Sequence, residues 1–255
     1  MKTQKETTGE MPLSGHLREL RNRLAICIVS LVVAFLAALY FSQDIITFLT
    51  GMGDVYGYEF VYISPQELLL EQFSVSLVAA ICIVSPILVY HIWAFIQPGL
   101  KKNENSLFAA VLISGLICFV IGILFAYKVM LPFMLRFLIG ISAGSGITAT
   151  ISVEKYVSFL LTIFLIFGVI FELPVVSVLL TQIGLLKVEW MKKAFKGAII
   201  VIFLIAAVVT PPDIVSQTMV ALPMIGLYEL SILLSSFLLR FRRKKKAEQS
   251  EEDET

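Results

Sequence analysis

The chain has 255 residues, 58% of them hydrophobic and only 15% charged, with a net charge of +1 and a mean hydropathy of +0.90. Soluble domains carry about 25% charged residues, so this composition excludes an ordinary water-soluble globule. It leaves room for several membrane spans of about 20 residues each.

The first readable element is "GHLRELRNRL". It patterns as an amphipathic helix, with Leu13, Leu17, Leu20 and Leu24 on one face and Arg18, Glu19, Arg21, Asn22 and Arg23 elsewhere. Glu19 stands four residues ahead of Arg23, the spacing of an ordinary helical ion pair. The apolar run that follows is longer than a secretory h-region and has no A-x-A-like site after it, so it reads as a retained anchor.

Six hydrophobic segments follow one another: Leu24–Phe41, Phe73–Phe95, Leu107–Met130, Tyr156–Thr181, Ala194–Val209 and Gln217–Leu239. Between the first two, Asp44, Asp54, Glu59, Glu67 and Glu71 make an acidic loop without Lys or Arg. There Ser64-Pro65-Gln66-Glu67 has the form of a capping box, which predicts a short helix leading into the second span. Pro86, Pro174 and Pro223 each remove a backbone donor and should bend their helices.

Glu172, in "FGVIFELPV", is the one formal charge between Val157 and Leu180. A charged side chain at mid-bilayer costs roughly 2.5–3.5 kcal/mol on insertion scales. Its residues allow two readings. One is a neutral carboxyl hydrogen-bonded to a neighbouring helix; the other is a polar contact for a substrate, a proton or a partner helix. Counting back by three and four gives Val169, Leu165, Thr162 and Ser158, a partly polar stripe ending at this carboxylate.

The fifth segment is short, with about 13 strictly apolar residues before Thr210-Pro211-Pro212-Asp213 against the ~20 a bilayer core asks for. It reads as a thin span, the alternative being a re-entrant segment that would invert the tail. In the sixth, Gln217, Ala221, Met224, Tyr228, Ser231 and Ser235 share a face suited to helix contact or a wet cavity, with Glu229 close by. Residues 1–240 thus form one six-span domain, and 241–255 a basic-then-acidic tail expected to be disordered and to lie near anionic headgroups.

Lys and Arg cluster before span one, at Lys101 and Lys102, at Lys187 to Lys196, and after Leu239. The positive-inside rule then places both termini in the cytoplasm. Catalytic and nucleotide-binding signatures are absent, the two histidines stand apart, and Cys27, Cys82 and Cys118 lie in apolar runs as small hydrophobes. Neither an enzyme nor a cofactor or metal site is expected.

Four stretches in order change the picture: "GHLRELRNRL", "WAFIQPGLKKNE", "FGVIFELPV" and "TPPDIVSQ". Together, from about Leu13 to Arg240, they resemble TatC, the core receptor subunit of the twin-arginine protein translocase. The resemblance implies an all-α integral membrane protein of the bacterial cytoplasmic membrane, a curved, glove-like wall of six helices with the last two short. It implies a non-enzymatic receptor for twin-arginine signal peptides of folded cargo, partnered by TatA-type and TatB-type single-span subunits. Self-association in a larger complex and export driven by the proton-motive force are implied as well.

By position, the resemblance assigns Glu19, Glu104 and Phe95 to signal-peptide binding, and Glu172 and Gln217 to contact with a partner or signal inside the membrane. It gives Pro211, Pro212 and Asp213 to the last external turn. Asn105 and Ser106 stand where many relatives carry basic residues, and the first external loop lacks a proline often found there. The residues by themselves also permit a proton-coupled transporter using Glu172 and Glu229, although no inverted repeat is visible.

Overall fold

The computed structural model describes residues 13–96, 105–142 and 150–252. Helix α1 (Leu13–Tyr40) merges the amphipathic segment and the first span into a single rod. At 1.5 Å per residue it is ~42 Å long, more than a ~30 Å hydrocarbon core requires. Leu17, Leu20 and Leu24 stay exposed along it, so its leucine face is not covered among the described residues.

The acidic loop is more ordered than its sequence indicates. It forms helix α2 (Ser42–Asp54) and strand β1 (Glu59–Val61) before α3 (Glu67–Ile96) begins. The expected short helix before span two is simply the first turns of α3. The capping box closes one residue early: the Glu67 carboxylate accepts the Ile63 N–H at 3.1 Å, while Ser64 offers its carbonyl to the Glu67 N–H.

The third segment does not end at Met130. Helix α4 (Asn105–Phe125) passes through a π-helical turn (Ala126–Met130) into α5 (Leu131–Ser142). The wider π turn rearranges the backbone donors just ahead of Pro132, which then sits in the first turn of α5, where its missing N–H is tolerated. Strand β2 (Thr150–Ser152) pairs in parallel with β1, register Glu59 opposite Thr150. Two loops far apart in sequence are thereby tied together. Tyr58 donates to the Leu135 carbonyl at 3.1 Å and Tyr156 to the Leu49 carbonyl at 3.2 Å, and burial pushes the Tyr58 phenol up. Gly53 is required at this knot, since a Cβ there would meet the Phe60 ring at 2.5 Å.

The fourth segment is two helices, α6 (Val153–Ile170) and α7 (Leu173–Gln182), broken beside Pro174. Then come α8 (Val188–Val209) and α9 (Ile214–Glu252). Among the described residues five stretches are long and apolar enough to cross a bilayer: Leu17–Tyr40, Glu67–Ile92, Leu112–Ile141, Val153–Gln182 and Ile214–Phe241. The expected fifth span, Ala194–Val209, is not among them. Helix α8 has 22 residues, but Glu189, Lys192, Lys193 and Lys196 occupy its first turns. The tail expected to be disordered continues α9 as helix to Glu252. Its Lys, Arg, Ala, Glu and Gln are strong helix formers, and a helix already nucleated in the span extends without a new nucleation cost.

The core centres on α6. Leu160, Ile163 and Phe167 are fully buried, packed among residues of α2, α3, α5, α8 and α9. Close approach of α4 and α6 depends on two glycines. A Cβ at Gly122 would stand 2.6 Å from the Phe167 carbonyl oxygen, and one at Gly168 2.9 Å from the Phe119 ring. Small residues at such crossings let backbones meet where lipid offers no hydrophobic drive.

Candidate functional site

Two polar sites and one structural turn hold most of the described residues singled out in the sequence. The first lies where the N-terminal end of α1 meets the C-terminal half of α3. Gly15, Arg18, Glu19, Asn22, Arg23 and Ile26 of α1 face Tyr90 and His91 of α3 across a hollow of about 460 Å³. The Glu19–Arg23 pair forms, with Arg23 Nε donating to Oε1 at 2.9 Å and its Nη2 to the same oxygen. Among the described residues Oε2 takes no hydrogen bond. A carboxylate accepts two guanidinium N–H groups side by side, so this one retains capacity for a second cation. His91 Nδ1 is buried in the same wall without a hydrogen-bond partner among the described residues; sequence spacing gave no sign that it would approach Glu19. Phe95 lies in the last turn of α3, but its side chain falls outside the described residues, as does Glu104.

The second site is Glu172. Pro174 cannot donate to the Ile170 carbonyl, and the ladder breaks just there: the Glu172 N–H turns to Val169 and its carbonyl accepts from Val176 at 2.9 Å. The break aims the side chain out of α6 toward α4 and α3. A Cβ at Gly115 would lie 3.1 Å from Glu172 Oε2 and 3.6 Å from Val89, so the carboxyl sits in space that the missing side chain of Gly115 leaves open. Its Oε1 is buried with no hydrogen-bond partner among the described residues. Ser158 and Val169 are exposed, Val169 at 63%, whereas Thr162 is half-buried and Leu165 packs against the core, so the stripe ending at Glu172 is uncovered only at its two ends. A half-buried carboxyl beside the exposed Val169 is suited to receive a donor from an arriving helix.

Gln217 sits elsewhere in role. Its amide donates to the Phe203 carbonyl at 2.9 Å, bonding the start of α9 to α8. Asp213 caps α9, accepting the Ser216 N–H at 2.7 Å, and Pro211 and Pro212 fill the turn before it. The other members of the α9 face point inward: Ala221, Met224, Ser231 and Ser235 are buried, and Tyr228 donates to the Met191 carbonyl at 3.0 Å. That face is helix contact. Glu229 is exposed and shares a hollow with Lys192.

A further carboxylate escaped the sequence reading. Glu71, 2% exposed, has neither oxygen hydrogen-bonded among the described residues, with Glu154 and Glu67 as charged neighbours. Glu67 is satisfied by Ile63 N–H and by the Ser152 hydroxyl at 3.2 Å. In the loop beside them the Tyr62 phenol is pushed up, first by burial and then by the charges of Glu71 and Glu67. Only the folding of α6 against α3 brings Glu154 to this place.

Residues 15–223 match the family described as TatC, Sec-independent protein translocase protein. A Sec-independent protein translocase protein TatC of Listeria innocua is 36% identical over 244 residues, covering 92% of this chain and 95% of that one. Its counterpart in Helicobacter pylori is 41% identical over 227 residues, covering 89% and 88%. The crystal structure of a twin arginine translocase receptor, TatC, superposes with a TM-score of 0.80 at 34% identity, covering 87% of this chain and 98% of that one. These matches replace the transporter reading of Glu172 and Glu229, and they make the chain a multi-pass component of a protein translocase rather than an enzyme. The chain belongs to the TatC family of Sec-independent protein translocase proteins.

Proposed function

We propose that this chain is the twin-arginine signal-peptide receptor of its translocase, set in the bacterial cytoplasmic membrane with six spans and both termini inside. The observation that carries the reading is the Glu19 hollow. A carboxylate engaged with one guanidinium keeps an oxygen without a hydrogen bond among the described residues, beside a groove between α1 and α3. Arginine's planar fork suits such a carboxylate better than the point charge of lysine. Glu104 and Phe95, at the end of α3 and just beyond it, complete the recognition surface in this reading.

Glu172 is then the contact inside the membrane for a partner's transmembrane helix or the inserted signal, at about 0.6–2 kcal/mol per hydrogen bond. Gln217, also assigned by the resemblance to contact within the membrane, acts at a separate place by keeping α8 and α9 together. TatA-type and TatB-type single-span subunits are the partners, further copies of this chain join the complex, and the proton-motive force drives export. The short α8 crosses as the fifth span, its basic first turns at the cytoplasmic face.

A photoreactive residue replacing Asn22 tests the first assignment. It should crosslink to the arginine pair of a signal peptide, and the crosslink should weaken when that pair is changed to lysine. Crosslinking that ignores the arginines would contradict the assignment.

A further inference from the structure

At the far end of the molecule from Glu19 lies a groove unrelated to either polar site. It holds about 860 Å³ between the π turn and α5 on one side and the first turns of α9 on the other. Phe133, Met219, Leu222 and Pro223 help to form apolar walls, and no acidic residue lines it. Two cations do. Lys128 and Arg136 are both exposed, and neither is in an ion pair among the described residues. Each instead lies over a tyrosine ring, Lys128 over Tyr127 at 4.9 Å and Arg136 over Tyr56 at 5.7 Å. Asp213, which accepts the Ser216 N–H with one oxygen, is not among the lining residues.

We propose that this groove binds one anionic phospholipid, its phosphate between Lys128 and Arg136 and an acyl chain along the α9 wall. The groove's volume falls within the ~300–1,000 Å³ of apolar sites that carry a few polar groups and take small ligands, enough for a headgroup phosphate and part of one acyl chain. Charge decides the headgroup. Two cations at a membrane surface with no acid among the lining residues favour a net-negative lipid over a zwitterionic one by roughly thirtyfold. Their long stems run over apolar surface while the charged ends reach headgroup depth. The inference rests on the orientation proposed above only in naming the leaflet, which is the outer one.

Native mass spectrometry of the full chain from mild detergent tests it, with phosphatidylglycerol and phosphatidylcholine of identical chains in competition. The wild type should retain phosphatidylglycerol at least tenfold in preference, and K128Q/R136Q should lose that preference. Should that variant not fold, Met219→Trp, which fills the groove and leaves both cations, should lower retention of either lipid. Equal retention of the two lipids would overturn the proposal, as would displacement of phosphatidylglycerol by millimolar inorganic phosphate. A photoreactive residue at Val215 in cells should give an adduct of lipid mass; an adduct to a protein would overturn it in favour of a partner helix. Twin-arginine peptide binding should survive K128Q/R136Q, so failure here and failure of the receptor reading are told apart.

Discussion

Glu172 draws its position from its neighbours. Pro174 breaks the ladder, Gly115 provides the space, and the exposed Val169 beside the carboxyl gives an arriving helix a place to touch. Glu172→Ala should leave the protein inserted and weaken copurification of a single-span partner by about three- to thirtyfold, the loss of one intramembrane hydrogen bond. Glu172→Gln should be milder, because an amide still accepts and donates. Gly115→Val, which displaces the carboxyl without removing it, should resemble the alanine variant. Equal and complete loss in Ala and Gln, at normal membrane levels, would point to titration of the carboxyl instead. At this scale the sequence was informative where one residue was out of place. A lone carboxylate in an apolar run is visible, whereas Glu71 was hidden because it stands among other acids in a loop-like stretch. Its burial comes from α6 folding over it, which no local pattern encodes.

Between elements, the crossing of α4 and α6 sets where Glu172 points. Gly122→Ala would force its methyl against the Phe167 carbonyl and part the two helices, costing about 1–3 kcal/mol. Gly226→Ala, with open space around it, should be neutral or slightly stabilising through helix propensity alone. Thermal unfolding of the two variants in one detergent checks the contrast, and equal melting temperatures would remove the close approach from the account. Hydropathy located the apolar segments, because each must satisfy its backbone within lipid. It could not show α2, the parallel pairing of β1 with β2, or the π turn. The strand pairing and the seat of α2 go with contacts between segments 77 to 107 residues apart, Tyr58 with Leu135 and Tyr156 with Leu49. The Glu19–Arg23 pair was legible because it is local; its meeting with His91 was not.

For the whole molecule, the proposed topology assigns each site to one side of the membrane. A cysteine replacing Asp213 should label from outside in intact cells, and one replacing Lys192 only after the membrane is opened. Labelling of both from one side would remove α8 as a crossing and with it the six-span topology. The lysine-rich start of α8 and the basic continuation of α9 argue for the two-sided result. Under that topology the hollow holding Glu19 opens to the cytoplasm, where folded cargo arrives. The most direct test of the receptor claim is affinity for a twin-arginine peptide in nanodiscs, for the wild type, Glu19→Ala, Glu104→Ala and the double variant. Each single change should weaken binding about ten- to hundredfold, as loss of a charged hydrogen bond does, and the double should cost less than the sum of the two. A twin-lysine peptide should bind the wild type less well. Unchanged affinity in the double variant would contradict the assignment of this hollow as the signal-peptide site.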